Sequence, residues 1–503
     1  MALKKVKTEN GWVEGLPGGN YTVSVFKGIP YAAPPVGENR WRAPQPAENW
    51  EGVYQAFKFK PMCPQAEPGT PWEKQENPEP LWAQDEDCLY CNVWTPAVRE
   101  DEKLPVLLWI HGGANVVGRG HEMSVDGEGL AKRGVIVVTF NWRVNIFGWL
   151  AHKELSEENP DHISGNYAVL DQIAVLKWVR RNIEAFGGDP ENITINGLSA
   201  GGSSTMNMCM TPLTRGLFKN AIMQSGGGFD LFTSTMIPTL KQYEDMVDLK
   251  RALGVDSIAE ARKLDAQEII RRISRPEAAG AYLPMQVADG VIFPDTNTEI
   301  CKKGMYHKIN YIIGYTKDES HMYEPNFDKE AFIQDVKTEY GDYAEDYLKL
   351  CDFLQDDEAF KKHMISRSGE LLRTAAENFA ELVSSQGNGP VYVYCFARRM
   401  PDGDHTTFHG SDQWFQFETL GRCNWRDFTG TDFDLSKTYA KFFANFCKTG
   451  DPNGTDVPKW KPFTEQERIT MVLDENAGGR ELPDNPRIQF RKDYVLKRLP
   501  EKK

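Results

Sequence analysis

The sequence predicts an α/β fold, with a mostly parallel, twisted central sheet flanked by helices. Three observations carry this. Short continuous apolar runs recur along the chain, as strands buried on both faces do. Helical patterns lie between them. Turn glycines punctuate the passages from one to the other.

The first apolar run is Val106–Ile110, within "LPVLLWIHGG" (104–113). "GVIVVTFN" (134–141), "NITIN" (192–196), "NAIMQSG" (220–226), "NYIIGYT" (310–316) and "PVYVYCF" (390–396) read as five more strands. Between the second and third, Ile173, Leu176, Val179, Ile183 and Phe186 form one helical face, which Gly187 and Gly188 are expected to stop. Residues 236–275 and 328–385 are rich in Glu, Lys, Leu and Ala and read as helical insertions, forming a lid or flanking region. The Pro/Glu-rich stretch 65–88 reads as a long loop, because proline fixes the backbone and cannot donate to a ladder. No repeat or linker divides the chain, so residues 1–503 are expected to form a single domain.

The 503 residues are 40% hydrophobic, enough for a large buried core. The formal net charge of −14 repels polyanions, so neither nucleic acid nor an anionic membrane is an expected partner. No run approaches the roughly 18 apolar residues of a membrane span. "MALKKVKTENGWVEG" lacks the apolar stretch of a signal peptide, and "RLPEKK" is not a retrieval signal. A cytoplasmic location is therefore expected. Nine scattered cysteines suggest reduced, mostly buried thiols. The N-x-[ST] sequons at Asn20, Asn192 and Asn453 read as chance matches.

"ITINGLSAGGSST" (193–205) carries the chemistry. A buried strand leads into Gly197-Leu198-Ser199-Ala200-Gly201, and a helix start follows. Strand, sharp turn and helix are the setting of a nucleophile elbow, where flanking glycines let the chain turn and push the serine out. Ser199 is thus the candidate nucleophile; the bland alternative is a passive serine in a glycine-rich turn. Acyl transfer also needs preorganised N–H donors for an oxyanion. Gly113 and Ala114, at the end of the first buried strand, and Ala200, just after the serine, are the candidate donors. His111, which ends that strand, reads as structural.

Rival signals are incomplete. Cys88-Leu-Tyr-Cys91 has the C-x-x-C spacing, but no second ligand pair accompanies it. His121-Glu122 would need a histidine at Val125 to make a zinc motif. "GANVVGRG" (113–120) places Arg119 and Gly120 where a phosphate loop has Lys and Ser/Thr. No cofactor or metal is implied. Trp414, Phe415 and Phe417 could line a pocket, but core packing is the favoured reading.

The chain resembles the type-B carboxylesterases, the cholinesterase-like branch of the α/β-hydrolases. The resemblance lies in "FKGIPYAAPPVGENRWRAPQP" (26–46), "EDCLYCNVWTP" (86–96), "PVLLWIHGGA" (105–114), "NWRVNIFGWL" (141–150), residues 165–202 and "QSGG" (224–227). Weaker similarity continues to 442–454, so it spans nearly the whole chain. The resemblance implies an α/β-hydrolase fold and a Ser–acid–His triad in that chain order. Its acid falls in "IIGYTKDES" (312–320), implying Glu319, with Asp318 as the fallback. Its histidine falls in "TFHGSDQWFQF" (407–417), implying His409, with His405 a rival; His321 lies too near the acid. Cys63 and Cys88 match the family's first disulfide, which a reducing compartment would leave open.

Three departures matter. Leu198 replaces the Glu that often precedes the nucleophile, Ala114-Asn115 replaces Gly-Phe in the oxyanion motif, and Ser320 replaces the Gly after the acid. The first argues against a cholinesterase proper. The expected activity is hydrolysis of neutral carboxylic esters through an acyl-serine. A non-catalytic adhesion protein and an amidase or thioesterase are the alternatives. The partner is a small-molecule ester; oligomeric state is not indicated.

Overall fold

The computed structural model describes residues 2–66, 82–229, 237–320, 322, 325–401 and 406–496. The strands are β1 (Lys5–Thr8), β2 (Gly11–Glu14), β3 (Leu16–Pro17), β4 (Ser24–Pro30), β5 (Val53–Gln55), β6 (Tyr90–Thr95), β7 (Leu104–Ile110), β8 (Ile136–Phe140), β9 (Gly188–Leu198), β10 (Asn220–Gln224), β11 (Asn310–Thr316), β12 (Val391–Phe396), β13 (Ile469–Leu473) and β14 (Gly478–Glu481). Eleven of them form one sheet, in the order β14-β13-β12-β11-β10-β9-β7-β8-β6-β4-β3. The stretch from β13 to β8 is parallel throughout, and antiparallel strands close both edges. The remaining three strands, β1, β2 and β5, make a small separate sheet.

Strand β7 shows why the apolar runs were continuous. Val106, Leu108 and Ile110 point into one core, while Leu107 and Trp109 point into another across the sheet. Successive side chains alternate faces, so a strand covered on both sides must be apolar at every position. All six runs expected to be strands form strands of the parallel region.

Four helices matter for the site: α1 (Tyr167–Asn182), α2 (Ala200–Met210), α3 (Lys329–Tyr340) and α4 (Asp357–Ser385). The apolar face from Ile173 to Phe186 begins on α1 and ends in a 3-10 turn, and Gly187 caps it at φ 83°. Gly188 does not share that role. It is the first residue of β9, and a Cβ there would meet Ile183 at 2.7 Å. Stretch 236–275 holds short helices from Leu240 to Ile273, and 328–385 holds α3, Ala344–Leu348 and α4, so both expected insertions are helical where described. The second has a small core of its own around Phe332, Tyr340, Phe353 and Phe360. Of the 65–88 loop, residues 67–81 lie outside the described part. Trp414, Phe415 and Phe417 are buried in a sheet-face core, which is the packing role expected of them. No described helix is long and apolar enough to cross a membrane.

All nine cysteines are buried thiols. Cys63 and Cys88 are neighbours but not bonded: the Cys88 thiol hydrogen-bonds Cys63, and that bond together with burial pushes it well above its ordinary pKa. No described cluster of His, Cys, Asp and Glu could hold a metal ion.

Candidate active site

Ser199 stands between the end of β9 and the first residue of α2, at φ 58° and ψ −125°. Few non-glycine residues adopt this conformation, and it persists only where surrounding contacts enforce it. They do so here. The Ser199 amide donates to the Gln224 carbonyl at 2.8 Å. A Cβ on Gly201 would lie 2.0 Å from the Ile110 carbonyl oxygen, and one on Gly226 would lie 2.0 Å from that of Ser199. The glycines of the motif therefore let β7, β10 and the elbow close on one another.

The loop after β7 lies against this elbow: a Cβ on Gly112 would come 3.0 Å from the Ser199 Cβ. Gly113, Ala114 and Asn115 all have positive φ, at 107°, 52° and 64°. Among the described residues, the amides of Gly113, Ala114 and Ala200 donate to no protein acceptor. Left-handed residues that leave amides unspent are the ingredients of an anion nest.

Other groups hold the loop. Gln65 accepts from the Gly118 amide at 2.7 Å and donates to its carbonyl at 3.1 Å. Asn115 donates to the Pro284 carbonyl at 2.9 Å, and its own carbonyl accepts from Asn145 at 2.6 Å. The Asn that replaces an aromatic is thus tied down at both ends. His111 is fully buried, stacks on Trp142 at 4.8 Å, and places Nδ1 2.8 Å from the Gly112 carbonyl. Burial pulls its pKa down to about 4, so the ring is neutral near pH 7, and the carbonyl assigns the proton to Nδ1. His111 anchors the loop, as the sequence suggested.

Glu319 follows β11 by three residues and is itself left-handed, at φ 47°. Its side chain is wholly buried and accepts three hydrogen bonds. Oε1 takes the Ser225 hydroxyl at 2.6 Å and the Thr316 amide at 2.6 Å. Oε2 lies 2.5 Å from His409 Nδ1. Asp318 points elsewhere: its Oδ2 accepts from the Thr407 amide and hydroxyl, both at 3.0 Å, and so clamps the acid loop to the histidine loop. The His409 amide donates to the Ser320 carbonyl at 2.9 Å and tightens the same junction. The geometry thus favours Glu319 over Asp318 as the partner of His409. The rivals His405 and His321 lie outside the described residues.

Two residues that sequence reasoning left without a role connect the parts. Ser225 follows β10, whose last residue holds the Ser199 amide, and its hydroxyl holds Glu319. Gln65 lies on the long Pro/Glu-rich loop and holds Gly118, further along the loop that carries Gly113 and Ala114. "QSGG" was visible as a motif, but nothing local marked Ser225 as a partner of an acid 94 positions away.

A carboxylesterase-family model matches residues 2–491. The chain belongs to the carboxylesterase family. It is 32% identical to para-nitrobenzyl esterase of Bacillus subtilis (strain 168) over 97% of this chain and 98% of that protein. It is 30% identical to fumonisin B1 esterase of Sphingopyxis macrogoltabida, covering 95% of this chain and 88% of that one. It also superposes on a solved para-nitrobenzyl esterase with TM-score 0.79 at 31% identity, covering 98% and 99% of the two chains. This carboxylesterase has the α/β-hydrolase fold and hydrolyses carboxylic esters as a serine hydrolase.

Proposed function

We propose that Ser199, His409 and Glu319 form the catalytic triad of this esterase, with Gly113, Ala114 and Ala200 as oxyanion donors. The observation that carries the reading is the hydrogen-bonded unit of Glu319 and His409, linked through Ser225 and β10 to the strained Ser199 elbow. His409 Nε2 takes the proton from Ser199 Oγ as that oxygen attacks the ester carbonyl. The carbonyl oxygen becomes an oxyanion facing the three amides. His409 then gives its proton to the departing alcohol, leaving an acyl-serine. Water attacks the acyl group with His409 again as base, the acyl–Oγ bond breaks, and His409 returns the proton to Ser199 Oγ as the acid leaves. Glu319 keeps the proton on Nδ1 and stabilises the imidazolium.

The same reading assigns uncharged esters rather than choline esters, because the site has Leu198 in place of the neighbouring acid. Hydrolysis of p-nitrophenyl butyrate by the wild type and Ser199→Ala tests the nucleophile. Loss of such a serine costs on the order of a millionfold in kcat. Comparable rates in the two proteins would remove Ser199 from the mechanism. Faster turnover of butyrylcholine than of an uncharged ester of equal size would overturn the substrate assignment.

A further inference from the structure

A cavity of about 380 Å³ adjoins the triad acid. It is lined by Glu319, by Pro325 and Asn326, and by residues of helices α3 and α4. Phe332, Met364, Ile365 and Leu371 supply apolar surface. Ile365, on the cavity wall, remains 38% exposed. Among the described residues, one cation lines this cavity, Arg367 of α4.

The position of Arg367 is unlike that of its neighbours. Along the same helix Arg373 pairs with Glu377, and Glu370 is held by Arg487. Among the described residues, Arg367 makes no ion pair or hydrogen bond; its guanidinium carbon sits 5.4 Å over the Phe332 ring. An arginine stays charged at any working pH, and its planar fork matches a carboxylate with two parallel N–H donors. The two acidic residues that line the cavity among the described residues leave it unpaired. Glu319 is engaged by His409, Ser225 and Thr316, and Asp335 is exposed on α3.

We infer that Arg367 recognises an anionic group on the substrate, so that this esterase accepts esters carrying a second, ionised carboxylate. The inference rests on the serine-esterase reading above and deepens it. The apolar walls take the hydrocarbon part, and Arg367 pairs with the carboxylate at its far end. The reacting ester remains uncharged, and a choline cation is disfavoured by the same guanidinium.

The test compares kcat/KM for mono-p-nitrophenyl esters of dicarboxylic acids, from succinate to suberate, with uncharged p-nitrophenyl esters of equal length. A second arm compares 4-acetoxybenzoate with 4-acetoxybenzamide, placing the charge on the alcohol side. In at least one arm, Arg367→Gln should lower the charged-to-uncharged ratio tenfold or more, and Arg367→Lys should restore part of it. In the wild type, the same ratio should fall as salt rises from 20 to 500 mM, a measurement that does not depend on the variants folding. Ratios unmoved by substitution and salt in both arms overturn the inference. Failure of the wild type to hydrolyse even the uncharged esters would instead overturn the esterase reading beneath it.

Discussion

Glu319→Gln removes one charge and almost no volume, which makes it the sharpest probe of the acid. Glu319 Oε1 is committed to the Ser225 hydroxyl and the Thr316 amide, both donors. The glutamine oxygen must stay there, and its NH2 therefore replaces the carboxylate oxygen 2.5 Å from His409 Nδ1. Two N–H groups cannot face each other at that separation, so the imidazole moves its proton to Nε2. In the proposed triad it then faces Ser199 as a donor and can no longer accept the serine proton. In a triad this wrong tautomer costs about 10⁴ in kcat, or about 5.5 kcal/mol of barrier. Asp318→Asn is the control. It weakens only the clamp to Thr407, a contact worth about 1–2 kcal/mol of stability, and should change kcat less than about tenfold. Steady-state hydrolysis of p-nitrophenyl butyrate, with thermal melts to show both variants folded, measures the contrast. A Glu319→Gln variant within tenfold of wild type, or an Asp318→Asn variant more damaged than it, would refute this account of the acid.

Gly113→Ala should lower kcat by about 10²–10³ with a smaller effect on KM: its Cβ would fall 2.1 Å from the Val117 carbonyl oxygen at φ 107°, displacing the oxyanion donors. An unchanged kcat would contradict the role given to that loop. Thiol titration of the unfolded protein without reductant should find nine reactive cysteines, because Cys63 and Cys88 are unbonded; two fewer would show that the pair oxidises. Acid should destabilise the fold. Burial lowers the pKa values of His111, His307 and His363 to about 4 and that of His121 to about 3. Between pH 6.5 and 4 the unfolded chain therefore binds protons that the folded chain refuses. Stability is full above pH 6.5 and falls towards pH 4, by about 3 kcal/mol for His111 alone. The lowered carboxyls of Glu370 and Glu377 add in the same direction. A urea midpoint at pH 5 equal to or above that at pH 7.5 would contradict this.

Six of the seven parallel strands were legible because burial on both faces forces an unbroken apolar run; β13 was missed. Strands β4 and β6 were not legible, because their polar residues are satisfied by distant partners. Asn92 of β6, for example, accepts from the Gly28 amide and donates to Thr139. Gly188 looked like part of a helix stop because a glycine that allows a tight approach and one that allows a left-handed cap read alike in sequence. The elbow at Ser199 was legible from its local setting, since strand, glycines and helix lie within a few residues of one another. Glu319 and His409 were reached only through family resemblance. What separates Glu319 from Asp318 is the direction in which two adjacent carboxylates point, and long-range hydrogen bonds set that direction. The roles of Gln65 and Ser225 are long-range in the same sense.

The most direct test of the central claim is to identify the residue that becomes covalently modified. Incubation with diethyl p-nitrophenyl phosphate, followed by proteolysis and mass spectrometry, should place one diethylphosphoryl group on the peptide containing Ser199, with activity lost in step with labelling. Glu319→Gln should label far more slowly. Labelling at another residue that tracks the loss of activity, or full esterase activity in a protein labelled at Ser199, would contradict the account.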